Sequence, residues 1–338
     1  MKISEALSRS TFVFWLCGSI LVCLASIVLA PLVGPTPVEL REALFNTASM
    51  DREILIQTRL PRVFLAAVTG GGLAISGVVF QAVLRNPLAS PFTLGVSGGS
   101  ALGAVLAILL GLEIHFFGIG LLPLAAFAGA FSVVSLVYLL SRSAAHFSPL
   151  TLLLSGVVLN YLCAALIFLI HYYSDFTQSF LMMRWMMGSL DVLSYQVLGN
   201  LLPFLVIGLA LVLSGGRYLN ALSAGEDWAG SRGINVDRLI TMQYFGASLI
   251  TGSVIAYSGP IGFVGLIVPH LLRMVAGADH RLLLPVSFFG GATFLVLCDA
   301  ISRTVMAPSE MPVGIITSLL GGPFFLWLLL KQRNTVRF

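Results

Sequence analysis

About ten stretches of membrane-crossing length, nearly free of charge, follow one another along this chain and leave it one class of fold. Each crossing takes roughly 20 apolar residues. Inside a bilayer, backbone N–H and C=O groups must find partners within the segment, so each stretch has to be a helix. The runs lie near 11–33, 63–84, 92–112, 118–140, 149–171, 194–214, 238–257, 261–277, 283–302 and 312–331, with edges good to about 3 residues. The eighth is short and contains Pro269, which predicts a broken helix. With 9% of residues charged and 58% hydrophobic, the chain is an all-α polytopic membrane protein. Residues 1–338 are expected to form one transmembrane domain.

Ten crossings return both termini to one side. Placing that side in the cytoplasm puts twelve of the 18 Lys and Arg residues there and leaves Arg41, Arg52, Arg59, Arg62, Arg184 and Arg303 outside, as the positive-inside rule requires. The first run is too long for a signal-peptide core and no small-x-small cleavage site follows, so it reads as an uncleaved crossing. The net charge of +4 is spread over many loop ends and does not indicate a nucleic-acid partner. Cys17, Cys23, Cys163 and Cys298 lie inside apolar runs without a Cys-x-x-Cys pair and read as small core residues. His115, His146, His171, His270 and His280 are scattered without ligand spacing, which argues against an intramembrane enzyme. No phosphate-cradling G-x-x-x-x-G-K-[ST] segment occurs. Any nucleotide that drives this protein must bind another chain.

Two polar segments stand out. The inner one, about 215–238, carries Ser223-Ala224-Gly225-Glu226, a capping-box spacing, and Gly233, a suitable helix stop. It predicts one or two short helices in which Glu226 and Asp227 favour the start and Trp228 supplies an apolar knob. About two dozen residues is long for a plain connector, so a partner contact is the sharper reading. In the outer segment, about 34–62, Thr36-Pro37-Val38-Glu39 predicts a helix capped by Thr36 and running to about Ala48. Pro61 is expected to break the chain next. Arg59 and Arg62 there suit either lipid phosphates or carboxylates of a docking protein.

Glycine recurs at Gly70, Gly71, Gly72 and Gly77, and again at Gly95, Gly98, Gly99 and Gly103. Small residues four apart let helices approach closely in lipid, though hinges and pathway linings also use them. Ion-coupled carriers usually bury a carboxylate near the midplane. Here Asp299 falls near the outer end of its run, beside Arg303.

The run Gly259-Pro260-Ile261-Gly262-Phe263-Val264-Gly265-Leu266-Ile267-Val268-Pro269-His270, with Arg273, Gly277, Asp279-His280-Arg281 and Leu284-Pro285 after it, resembles the signature of the FecCD family. Four further segments match in order: Arg59-Leu60-Pro61-Arg62, Gln81 with Arg85-Asn86-Pro87-Leu88-Ala89, Trp185 with Gly188-Ser189-Leu190, and Glu310-Met311-Pro312-Val313-Gly314. These are permease subunits of ATP-binding cassette (ABC) importers for iron-siderophore, haem and vitamin B12.

The resemblance implies a type II ABC importer permease fold of ten helices in a bacterial inner membrane. It implies a homodimer, or a dimer with a close paralogue, together with two cytoplasmic ATPase subunits that hold ATP and Mg, a periplasmic substrate-binding protein, and no cofactor in this chain. Family likeness assigns ATPase contact to Ser223, Gly225, Glu226, Asp227, Trp228, Arg232 and Gly233. Binding-protein docking falls to Arg59, Arg62 and Arg303. The translocation path falls to Ser155, Gly156, Val158, Leu159 and Asn160, with Pro312 and Gly314 opposite, although a lone membrane Asn also bonds neighbouring helices. Arg232 stands where a Leu is usual, and Cys298 where a small residue is usual. A ferric siderophore is the expected cargo, with haem, cobalamin or molybdate as alternatives. The outer segment from His171-Tyr172-Tyr173 to Met186-Met187 offers haem ligands, or simply covers the mouth as an interfacial helix. An ion-coupled secondary transporter is the alternative of a different class.

Overall fold

The computed structural model describes residues 8–46, 48–112, 114–116, 118–142, 148–191 and 194–333. Lys2, Arg337 and His146, used in the topology and enzyme arguments, lie outside them. In chain order the helices are α1 (Arg9–Leu29), α2 (Leu40–Phe45), α3 (Met50–Glu53), α4 (Leu60–Val83), α5 (Val96–Leu110), α6 (Leu121–Arg142), α7 (Pro149–Tyr173) and α8 (Phe176–Met186). They continue with α9 (Tyr195–Ser214), α10 (Gly216–Ala224), α11 (Glu226–Ser231), α12 (Val236–Ser258), α13 (Val264–Ala276), α14 (His280–Thr304) and α15 (Val313–Arg333). Among the described residues seven helical stretches are long and apolar enough to cross a membrane, and α5, α13 and α15 are shorter apolar helices. A two-stranded antiparallel pair, β1 (His115–Phe116) and β2 (Ile119–Gly120), links α5 to α6.

Burial ranks the helices. The apolar windows of Met50–Val83, α12 and α14 are 89%, 78% and 61% buried, against 11% for the stretch that contains α1. So α4 is the axis, with α12, α13 and α14 packed on it and α1 resting on α14 at the periphery. Glycine notches make this closeness possible. A Cβ on Gly70 would lie 2.2 Å from the Gly291 carbonyl oxygen, and one on Gly77 would lie 2.0 Å from that of Gly265. Gly99 of α5 meets Gly129 of α6 in the same way. The packing reading of the glycines therefore holds, because any side chain there would separate the helices.

Four local expectations are corrected. Pro61 does not break the chain: Ile54–Arg59 form a π-helical turn in which the Leu60 N–H reaches Leu55. Pro61 then enters at the first turn of α4, where its missing N–H costs nothing. Pro269 does not break α13 either. The carbonyl it orphans four residues back, Gly265, accepts instead from Gln81 Nε2 at 3.3 Å. Thr36 is no cap, because its hydroxyl and carbonyl accept from Arg59, and α2 begins only at Leu40 behind Glu39. Finally, Cys17 is exposed while Cys23, Cys163 and Cys298 are buried.

Candidate functional site

The polar residues gather at the two ends of the bundle: an outer end bearing segment 34–62 and an inner end bearing segment 215–238. The inner segment folds as α10 and α11, two short helices meeting at Gly225. In α10 the residues Gly216, Leu219 and Leu222 are buried, a helical stripe that seats the helix on α4 and α14. Ser223 does not cap α11. It lies in the last turn of α10, and its hydroxyl donates back to the Leu219 carbonyl at 2.9 Å. Gly225 takes the N-cap position with φ +137° and no side-chain cap, a conformation that favours glycine. Gly233, φ +77°, ends the turn as expected.

Three links tie this unit to the inner ends of the central helices. Arg85, just past α4 and itself at φ +49°, pairs with Glu226 at the start of α11. Asn220 of α10 donates to Asp279 Oδ1 at 2.7 Å and accepts from the His280 N–H at 2.8 Å, which pins α10 to the start of α14. Burial pushes the Asp279 carboxyl up, but hydrogen bonds from Arg281 and Asn220 outweigh it and hold the group down at about 2. Toward solvent, α11 shows Asp227, Trp228 and Arg232, with Ala229 turned inward. The Arg232 guanidinium stacks 3.8 Å from the Trp228 ring centre. An arginine at the usual leucine position therefore forms a cation–π cap over the exposed knob.

At the outer end Arg59, Arg62 and Arg303 are all buried. Asp299, at 0% exposure, lies between Arg62 Nε at 2.8 Å and Arg303 Nε at 3.0 Å. Arg62 also pairs with Glu310, and with Asp191 at 3.3 Å. Arg303 reaches the Val33 and Ala30 carbonyls at 3.0 and 3.2 Å, and Arg59 reaches Pro31 at 2.9 Å and Thr36. Gly34 leaves room for this, since a Cβ there would fall 2.6 Å from Arg59 Nη2. The three arginines are thus engaged inside the chain and none turns a free fork outward. Glu310 and Asp191 are the partly exposed partners, at 40% and 36% of their side chains.

The five α7 residues do not all face one way, because a helix turns about 100° per residue. Gly156 and Leu159 are buried, Ser155 and Asn160 half-buried, and Val158 points outward. A Cβ on Gly156 would meet the Thr93 carbonyl at 2.6 Å, and the Asn160 amide donates to the Phe92 carbonyl. Both contacts pack α7 against the turn at Pro91–Leu94 that precedes α5. Pro312 and Gly314 do border open space. Pro312 lines an outer recess of about 520 Å³ with Met183, Met187, Asp191 and Glu310. Gly314 lines a second, of about 570 Å³, with Phe92, Met187, Pro260, Gly262 and Leu319. Met187 borders both. Backbones meet here directly: the Gly314 N–H donates to the Gly188 carbonyl at 3.2 Å and the Ser189 N–H to that of Ser258 at 2.9 Å. Met187, Pro260 and Gly262 were missed as lining residues. The Gly-Pro interruption between α12 and α13 was the available signal, because irregular backbone at membrane depth belongs beside a cavity.

Comparison with known proteins agrees with this architecture. Residues 8–331 match the FecCD transport family. A hemin transport system permease protein of Yersinia pestis is 42% identical over 305 residues, covering 86% of this chain and 88% of that protein. A cobalamin import system permease protein of Halobacterium salinarum is 44% identical over 288 residues, covering 82% and 73%. A solved structure described as an inward-facing conformation of a metal-chelate type ABC transporter superposes with a TM-score of 0.82 at 33% identity, covering 94% of this chain and 98% of that one.

Proposed function

The chain belongs to the FecCD transport family, and from that premise we propose that it is the permease of an ABC importer that carries a ferric siderophore across a bacterial inner membrane. It pairs with a second copy of itself. Two ATPase subunits dock beneath the α10–α11 unit and supply ATP and Mg, and a periplasmic binding protein delivers cargo to the outer end. The observation that carries this reading is the inner unit itself. It is tied through Arg85–Glu226 to the end of α4 and through Asn220–Asp279 to the start of α14, so a push on α11 reaches two central helices.

Docking at the outer end follows from the same chemistry as an exchange. A binding-protein carboxylate would displace Glu310 or Asp191 from Arg62, while Asp299 stays in place beneath. Arg59 and Arg303 would act from behind by fixing segment 30–36. The recesses around Met187 border the path, with Pro312 and Gly314 on their rim. Their mixed, largely uncharged lining suits a passage that binds cargo weakly after the binding protein releases it. An ion-coupled carrier is disfavoured, because Asp299 is ion-paired to two arginines rather than poised alone.

Haem is a second reading of the cargo, favoured by the methionine-rich outer recess, where Met183, Met187 and Met311 line one space, and thioethers ligate haem iron. A Soret shift on adding haem that disappears in His171→Ala or Met187→Leu would select haem over a siderophore. Affinity purification of the tagged chain tests the class. An ATPase should co-purify, the reconstituted complex should accumulate ferric siderophore only with ATP inside its reach, and the chain alone in liposomes should accumulate nothing. Concentrative uptake by the lone chain would overturn the proposal.

A further inference from the structure

Beside the inner unit lies a basic recess that neither the transport path nor the α11 contact uses. It holds about 580 Å³ and brings together Arg9 from the first turn of α1, Arg217 from the first turn of α10 and Arg281 from the first turn of α14. Arg281 is engaged by Asp279, with Nη2 to Oδ2 at 2.6 Å. Arg9 and Arg217 have no ion pair among the described residues, so the recess keeps two uncompensated positive charges. Phe12, Leu213 and Leu284, from three membrane-length helices, supply apolar lining. Its flank is α1, the least covered of these helices, so the recess opens sideways at the edge of the bundle. Two guanidinium groups without a carboxylate partner among the described residues, above an apolar surface at the membrane boundary, match one ligand chemistry: a phosphate with hydrocarbon attached.

We propose that this recess binds the phosphate headgroup of an anionic phospholipid in the cytoplasmic leaflet, with Arg9 and Arg217 on the phosphate and the acyl chains along α1 and α9. The inference rests on the reading of the α10–α11 end as cytoplasmic. Arginine suits the role because its fork grips phosphate oxygens bidentately, and basic pockets between helices on that side are common headgroup sites. Arg217 sits in the helix that leads directly into α11. An occupied recess would therefore brace the base of the ATPase contact.

The full chain in nanodiscs that contain phosphatidylcholine with a minority of phosphatidylglycerol, transferred to detergent and weighed intact, reads the bound lipid. Wild type should retain phosphatidylglycerol in preference to phosphatidylcholine. R9Q/R217Q should lower that retention roughly 30-fold, the effect of two arginines on an anionic headgroup, whereas R142Q/R238Q, which removes equal charge elsewhere at the same end, should leave it within about twofold. R9K/R217K keeps the charge and should recover most of the retention, which separates loss of the site from misfolding. Equal retention by wild type and R9Q/R217Q would overturn the proposal, as would equal retention of the two lipids. Displacement of phosphatidylglycerol by inorganic phosphate would make a soluble anion the occupant and overturn it too. So would unchanged lipid in R9Q/R217Q with loss of a co-purifying ATPase, since the recess would then be a protein contact. Lipid retention does not depend on transport, so failure here is distinct from failure of the importer assignment, and cysteine accessibility from each side of the membrane tests the sidedness by itself.

Discussion

At the outer end of the bundle three arginines are folded into the interior against Asp299, Glu310, Asp191 and backbone carbonyls. At the inner end Asp227 and Trp228 of the short helix α11, and Arg232 just past it, are left facing outward. The two ends carry similar side chains but use them differently. Buried guanidinium groups lose their hydration and must be paired, so the outer network acts as a clasp whose members depend on one another. Exposed groups remain hydrated and available to a partner. The contrast teaches that charge in a membrane protein marks a contact surface only where the fold leaves it unspent. By that criterion the inner end offers charge that a partner could use directly, whereas a partner at the outer end would have to compete with an internal carboxylate.

The comparison breaks most readily at Asp299. Asp299→Asn should leave Arg62 and Arg303 buried without their shared anion and cost about 3–5 kcal/mol, seen as a large fall in melting temperature in detergent. ATP-driven uptake by whatever folds should show no dependence on a proton gradient. An unchanged melting temperature would mean that the outer network is not a clasp. At the inner end, Trp228→Ala should leave the melting temperature nearly untouched yet weaken ATPase association by about 2 kcal/mol or more, the scale of an exposed aromatic anchor at an interface. Titrating the purified ATPase against the reconstituted chain measures this.

Smaller effects sharpen the boundary between the two ends. Asn220→Ala removes the bridge from α10 to α14 and should cost about 1–3 kcal/mol, because it strands polar partners at a part-buried site. Asp279 gives the same link a pH signature. Its folded-state value of about 2 lies below the ordinary 3.8, so its contribution is complete above pH about 4 and fades as pH falls toward 2. In Asn220→Ala that acid-sensitive contribution should shrink, and melting curves between pH 5 and about 3 would reveal it. Least of all, a double-mutant cycle on Arg85 and Glu226, each more than a third exposed, should give a coupling below about 1 kcal/mol that salt screens.

Most of the span edges were legible because apolar length and helix punctuation are local properties. The runs near 149–171, 194–214 and 283–302 correspond to α7, α9 and α14 within about 3 residues. Glycine packing was legible too, since a missing Cβ has few uses between lipid-embedded helices. The capping boxes misled at Thr36 and Ser223. A hydroxyl three residues before a Glu can equally serve a distant arginine or its own helix's carbonyl, and only the tertiary fold decides between them. The prolines misled for a related reason. Whether Pro61 or Pro269 breaks a helix depends on how the orphaned carbonyl is served, and for Pro269 the donor is Gln81, 184 positions before the carbonyl it serves. The recesses were least legible, because the backbone around Gly188, Pro260 and Gly314 comes from three separate stretches of chain.

Arg59 and Arg303 both hold the outer end of α1, but the ribosome delivers them at very different moments. Arg59 follows its acceptor Pro31 by 28 positions, whereas Arg303 follows Val33 by 270. At ordinary elongation rates that gap is on the order of tens of seconds. The first crossing is therefore tacked down early by a near neighbour and sealed only when the fourteenth helix has been made, so a nascent chain halted before that point leaves the membrane insertion machinery with a loosely held leading helix.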